Sequence, residues 1–206
     1  MILETIKVGP MEANCYILAS EKNKAAIIID PGAQERKIRQ ALDKDGLKPG
    51  LVINTHGHYD HIGSDDKFET PVYVHKDDLP LLKDAALNLS GFFSMAYEVK
   101  SEIRTMEDGQ VIEYEGIKLK VLHIPGHTPG GVALLLQEPE AKAVFTGDTL
   151  FHHSIGRSDL AGGNEASLIK AVKEKLLVLP EDTVVYPGHG PSTTIAEEKK
   201  HNPFLS

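Results

Sequence analysis

The sequence predicts an α/β fold in which two mixed sheets pack face to face with helices on the outside. Apolar strand-like runs alternate with amphipathic helical stretches, and the series of strands closed by a helix occurs in both halves of the chain. Four of those runs end on a histidine or aspartate flanked by glycine, so two packed halves would bring these ends to one edge.

In chain order, residues 2–8, 15–18 and 25–29 read as opening strands, and Asp30-Pro31-Gly32 closes the third with a turn. Residues 34–45 read as a helix, with Ile38, Ala41 and Leu42 on one face and Gly46 at its end. A strand at 51–54 leads into Thr55-His56-Gly57-His58-Tyr59-Asp60-His61-Ile62-Gly63. A short strand follows at 72–74, then a helix at 77–89, and residues 90–106, the least periodic stretch, read as a loop or lid. Runs at 110–114 and 117–124 flank Glu115-Gly116 as a hairpin, and 132–137 with 142–146 form a second. Residues 166–177 carry Leu168, Val172 and Leu176 at a spacing of four, with Asn164 as the cap. A strand at 183–186 precedes His189, and a polar helix spans 194–201. No linker divides the halves, so residues 1–206 are expected to form a single domain.

The chain has 22 basic and 30 acidic residues and a net charge of −8, a poor match to a nucleic-acid backbone. No apolar run approaches the roughly 18 residues of a membrane span, and Met1-Ile2-Leu3-Glu4-Thr5 does not resemble a secretory signal. Cys15 is the lone cysteine and reads as a small buried strand residue, which fits a reducing, cytoplasmic compartment.

The chemistry resides in His56, His58, Asp60, His61, His127, Asp148 and His189. The last three stand in Pro125-Gly126-His127-Thr128, Thr146-Gly147-Asp148-Thr149 and Pro187-Gly188-His189-Gly190. Imidazole nitrogen and carboxylate oxygen suit zinc, and also iron or manganese. This set exceeds the needs of one tetrahedral ion and suits two: His56, His58 and His127 for one, Asp60, His61 and His189 for the other, with Asp148 bridging. Two such ions about 3.5–4 Å apart convert a bridging water into a nucleophile and polarise a carbonyl. Asp60 and Asp148 are thus the expected catalytic carboxylates. Asp30 reads either as an acceptor orienting a ligand imidazole or as a turn residue. His75, His123 and His201 read as structural or surface residues, whereas His152 and His153 are candidates for lining the pocket, and Tyr59 for positioning substrate.

The His-x-His-x-Asp-His run at 56–61, followed by His127, Asp148 and His189, resembles the signature of the metallo-β-lactamase superfamily. The resemblance implies an αββα sandwich and the same ligand assignments. Gly147-Asp148-Thr149-Leu150-Phe151, then Gly156-Arg157, is similar to the glyoxalase II family. That implies hydrolysis of S-lactoylglutathione or a related acyl-glutathione thioester by hydroxide held between two metal ions, with Arg157 reaching a glutathione carboxylate. Two departures stand out. Asp159 replaces the family's aromatic residue, and the classical C-terminal helical domain is missing, so the ending from Thr193 to Phe204 resembles the short single-domain glyoxalase II-like hydrolases.

Gly156-Arg157-Ser158-Asp159-Leu160 also resembles the persulfide dioxygenases of the superfamily. These hold one iron by two histidines and an aspartate, and here would leave Asp60, His61 and His189 idle and oxidise glutathione persulfide. Thr149, where those enzymes more often have a small residue, favours hydrolysis. A nuclease would need a basic face, and a flavodiiron partner a flavin domain.

Overall fold

The computed structural model describes residues 1–21, 23–138 and 142–205. The first sheet has the order β1 (Ile2–Val8), β2 (Ala13–Ala19), β3 (Ala25–Ile29), β4 (Lys48–Ile53), β5 (Val72–His75) and β6 (Ile103–Met106). Strands β1 to β3 are antiparallel, and β3 to β6 are parallel. Farther along the chain come β7 (Val111–Tyr114), β8 (Ile117–His123), β9 (Val132–Leu136), β10 (Ala143–Gly147), the small hairpin β11 (Leu150–Phe151) and β12 (Ser154–Ile155), then β13 (Val184–Pro187) and β14 (Thr193–Thr194). The second sheet has the order β14-β13-β10-β9-β8-β7, with β10 and β13 parallel. The helices are α1 (Glu35–Lys44), the short α2 (Tyr59–Ile62), α3 (Glu165–Ala171), continued by a π-turn over Val172–Leu176, and α4 (Ile195–His201).

Alternation along the strands builds the layers. Ile27 and Ile29 of β3 join Leu18, Ile53, Leu134 and Phe145 in a core between the sheets. Ile28, with Ile17 and Val52, faces outward onto Ile38 and Leu42 of α1. On the opposite side Ala133, Val144 and Val185 face Leu168, Val172 and Ile195. The result is the αββα sandwich. Because β2 and β3 are covered on both faces, they read as continuous apolar runs.

Local capping matches the sequence chemistry. Asn164 Oδ1 accepts from the Ser167 amide at 2.9 Å at the start of α3, and Thr194 Oγ1 accepts from the Glu197 amide at 3.2 Å at the start of α4. Glu115 and Gly116 take φ of 49° and 85°, the left-handed pair of a two-residue hairpin turn. Strands β9 and β10 pair as the second hairpin, whose turn lies outside the described residues. Cys15 is fully buried in β2.

Two expectations are corrected. Residues 77–89 form no α-helix, only 3-10 turns at Lys76–Asp78 and Leu81–Lys83. Pro80 interrupts the stretch, and Asp78 and Asn88 spend their side chains on backbone groups outside any α-helix. Residues 90–106 are not wholly irregular, because Ile103–Met106 pairs with β5 as the edge strand β6.

Candidate metal centre

All seven proposed ligands meet at one edge of the sandwich. Strand β4 runs into His56 and His58, with Asp60 and His61 in the single turn of α2. From the second sheet, His127 follows β8, Asp148 follows β10 and His189 follows β13; the parallel pairing of β10 and β13 delivers the last two side by side. Donor atoms of His56, His58 and His127 lie within 4.8 Å of one another, as do those of Asp60, His61 and His189, and those of His56, His61 and Asp148. Asp148 stands between the groups. Its Oδ1 lies 3.4 Å from His61 Nε2, and its Oδ2 lies 3.7 Å from both His127 Nε2 and His189 Nε2. A Cβ at Gly188 would run into Asp148 Oδ1, so glycine is required for this approach.

The histidines are oriented from behind. Asp30 accepts from the Thr55 amide at 2.7 Å, from Thr55 Oγ1 at 2.6 Å and from His61 Nδ1 at 3.0 Å. Since the Thr55 hydroxyl proton goes to Asp30, its oxygen accepts from His56 Nδ1 at 3.2 Å. His127 Nδ1 donates to the Arg157 carbonyl at 2.8 Å, and His189 Nδ1 to the Met11 carbonyl at 3.0 Å. Each of the four therefore presents Nε2 to the centre, while His58 presents Nδ1, 3.0 Å from His127 Nε2. Asp30 combines both roles open to it, since its backbone turns at φ 53° while its carboxylate orients imidazoles.

Electrostatics divide the cluster. Burial, reinforced by the neighbouring histidines, drives His56 far below the usual imidazole range and His58 down to about 3, so both stay neutral. Against its burial, His61 is raised by Asp60, Asp148 and Asp30. His189 is raised against burial by its hydrogen bond to Asp60 and by Asp148. Asp60 is held low, despite burial, by His61 and His189. His56 and His58 thus offer neutral nitrogen, and the side of Asp60 concentrates carboxylate charge.

Four residues that support this centre, Asp78, Asn14, Met11 and Arg157 through its carbonyl, were not legible in that role from sequence. Asp78, fully buried, accepts from the Gly57 amide at 3.0 Å, Thr128 Oγ1 at 2.7 Å and the Gly130 amide at 2.6 Å, tying the His56–His58 loop to the His127 loop. Asn14 Nδ2 donates to the Pro187 and Gly190 carbonyls, both at 2.9 Å, clamping the loop of His189. The Met11 and Arg157 carbonyls carry no side-chain signal at all.

A cleft of about 460 Å³ opens over the cluster, bordered by Met11, Tyr59, Phe92, Phe93, Arg157 and Leu160 among others. Arg157 is exposed and paired through two nitrogens with Asp159, at 2.7 and 2.8 Å. His152 and His153 do not line the cleft; they stack on each other in the turn of the β11–β12 hairpin, and His153 Nε2 donates to Glu197 at 2.8 Å. His75 is buried and stacked on His123, and His201 is exposed.

The model of the metallo-beta-lactamase superfamily matches residues 8–189. The chain belongs to that superfamily. Among its relatives is a Bacillus subtilis protein named probable metallo-hydrolase YqgX, 40% identical over 204 residues that cover 97% of this chain and 95% of the relative. A Haemophilus influenzae protein named hydroxyacylglutathione hydrolase GloC is 32% identical over 226 residues, covering 100% and 99%. Among solved structures, the BLEG-1 B3 metallo-beta-lactamase superposes with a TM-score of 0.93 at 37% identity, covering 100% of both chains. TTHA1623 in a di-iron-bound form gives 0.84 at 36% identity, covering 98% of this chain and 100% of the other.

As a metallo-beta-lactamase superfamily member the chain is a metal-dependent hydrolase, and its fold is one that binds divalent metals. The donor set fits such ions. Among the described residues His56 Nε2, His61 Nε2 and Asp148 Oδ1 are buried and have no hydrogen-bond partner. A cation is what would satisfy two imidazole lone pairs and a carboxylate oxygen aimed at one point.

Proposed function

We propose that this protein hydrolyses acyl thioesters, with glutathione conjugates such as S-lactoylglutathione as the first substrates to examine. Two divalent ions, zinc or alternatively iron or manganese, would be held by His56, His58 and His127 and by Asp60, His61 and His189, with Asp148 shared. When bound, such ions supply an acidified water and polarise the acyl carbonyl. The observation that carries the reading is Asp148 lying between two complete three-residue groups. Thr149, beside the shared carboxylate, favours hydrolysis over a one-iron persulfide oxygenase, which would more often carry a small residue there.

The protein's own residues set the geometry. Asp30 fixes His56 and His61 in the tautomer that turns Nε2 inward, and the Arg157 and Met11 carbonyls do the same for His127 and His189. Tyr59 and the apolar border of the cleft limit water around the reacting carbonyl. In the reaction a C–O bond forms from water and the C–S bond breaks. Sulfur leaves as a thiolate, takes up a proton released by the water, and needs no strong general acid. The Arg157 guanidinium, at the rim, would bind a carboxylate of the thiol half by exchanging it for Asp159.

The test is thiol release from S-D-lactoylglutathione by protein of measured metal content, alongside Arg157→Ala. Rapid release is expected, with KM raised roughly tenfold in the variant, as for loss of about 1.4 kcal/mol of binding, and kcat less affected. No thiol release from protein carrying two ions per chain would discard that substrate. An unchanged KM would remove Arg157 from the site.

A further inference from the structure

Beside the cleft lies a second, smaller cavity of about 170 Å³, whose character differs from that of the metal cluster. Val8, Pro10, Met11, Ala33, Phe93 and Met95 form most of its wall, and Asp60 is its one charged border residue. Met11, Tyr59, Asp60 and Phe93 line both spaces, so the small cavity continues the cleft at the end near Asp60 and His189. Arg157 and Leu160 border the large cleft but not the small cavity. The two ends are marked by the backbone as well. Arg157 supplies the carbonyl behind His127, and Met11 the carbonyl behind His189.

The mouth of this cavity is unusually apolar. Met11, Phe93 and Met95 are 42%, 46% and 47% exposed. Single exposed apolar residues are ordinary, but a group gathered at one opening marks a binding surface. The wall is also built in advance. Buried Asn88 donates to the Leu81 and Tyr97 carbonyls, both at 2.9 Å, and accepts from the Ser90 amide at 2.9 Å. Leu89 and Ser94, at either side of the 3-10 turn Ser90–Phe93, take left-handed φ of 69° and 56°, a conformation disfavoured for leucine and kept where the surroundings enforce it. Tyr59 packs on Phe93 and Tyr97, and its hydroxyl meets Met95 Sδ at 2.9 Å.

We propose that this cavity is the acyl-side subsite of the enzyme and takes a compact apolar group of about six carbons, a phenyl ring or a branched aliphatic chain. The inference rests on the hydrolytic reading and deepens it: the anionic thiol half lies toward Arg157 and the apolar acyl half toward Met11, Phe93 and Met95. The size follows from the volume, since an apolar cavity of about 150 Å³ accepts benzene. Thioesters of small polar acids leave this surface unfilled, so the preferred substrates are those of apolar acids.

Two measurements test this, one of them independent of turnover. First, kcat/KM is compared for the acetyl, lactoyl, hexanoyl and phenylacetyl thioesters of glutathione. Burial of one methylene gives about a fourfold gain, so phenylacetyl is expected to exceed acetyl at least tenfold, and Phe93→Ala is expected to lower that ratio. Second, binding of phenylacetate and acetate to metal-loaded protein is compared by calorimetry, with phenylacetate at least tenfold tighter. Equal kcat/KM across the series, with turnover present, overturns the subsite and leaves the hydrolytic reading intact. Absence of turnover on every thioester overturns the hydrolytic reading, and the acid pair then decides the subsite alone: equal affinity rejects it.

Discussion

At Asp30 one carboxylate orients two histidines from different halves of the centre, His61 directly and His56 through the Thr55 hydroxyl. A second buried aspartate nearby behaves differently. Asn54 Nδ2 donates to Asp65 Oδ1 at 3.2 Å, while Asn54 Oδ1 and Asp65 Oδ2 have no partner among the described residues. Burial, with Asp30 and Asp66 adding repulsion, pushes the Asp65 carboxyl well above the usual range. A proton on the Asp65 carboxyl removes the cost of a buried charge there. The folded value then exceeds the unfolded one of about 3.9, so this group's contribution is complete below that pH and is lost as pH rises through the folded value. Asp65→Asn keeps the paired geometry without a proton. Its melting temperature should exceed the parent's at pH 8, with a smaller gap at pH 5; a gap of the same size at both would contradict the protonated pair.

At the scale of elements, the helices α1, α3 and α4 and the strands other than β6, β11, β12 and β14 were legible because their signals are local: apolar runs, spacing of four, Asn164 as a cap. Residues 77–89 were not. Leu79, Leu81 and Leu82 with Asp77 and Lys83 imitate a helical face, but Asp78 is held by three donors from the ligand loops, and that tertiary demand prevails over propensity. Removing this tie should be costly. Asp78→Ala strands buried donors at about 1–3 kcal/mol each, so a loss of about 2–5 kcal/mol in urea denaturation is expected, with kcat falling more than KM as the loops of His58 and His127 separate. A stability change under about 0.5 kcal/mol would show that the turn does not hold the two loops together.

For the whole molecule, the convergence of the seven proposed ligands was readable because their glycine-bearing segments follow strands, and strand ends converge in a two-sheet sandwich. What positions them was less readable, because carbonyls such as those of Met11 and Arg157 leave no trace in residue type, and the acyl cavity joins residues from three separate loops. The first sheet gives His56, His58, Asp60 and His61 and the second gives His127, Asp148 and His189, so bound ions would also fasten the two layers. In the proposed centre Asp148 is the residue that both ions would share. The most direct measurement is therefore metal content and thioester turnover of Asp148→Ala beside the parent. The parent should carry two ions per chain, and the variant should lose metal together with at least about 10³-fold of kcat, some 4 kcal/mol of barrier. A variant that keeps two ions and parental turnover would contradict the shared-carboxylate centre.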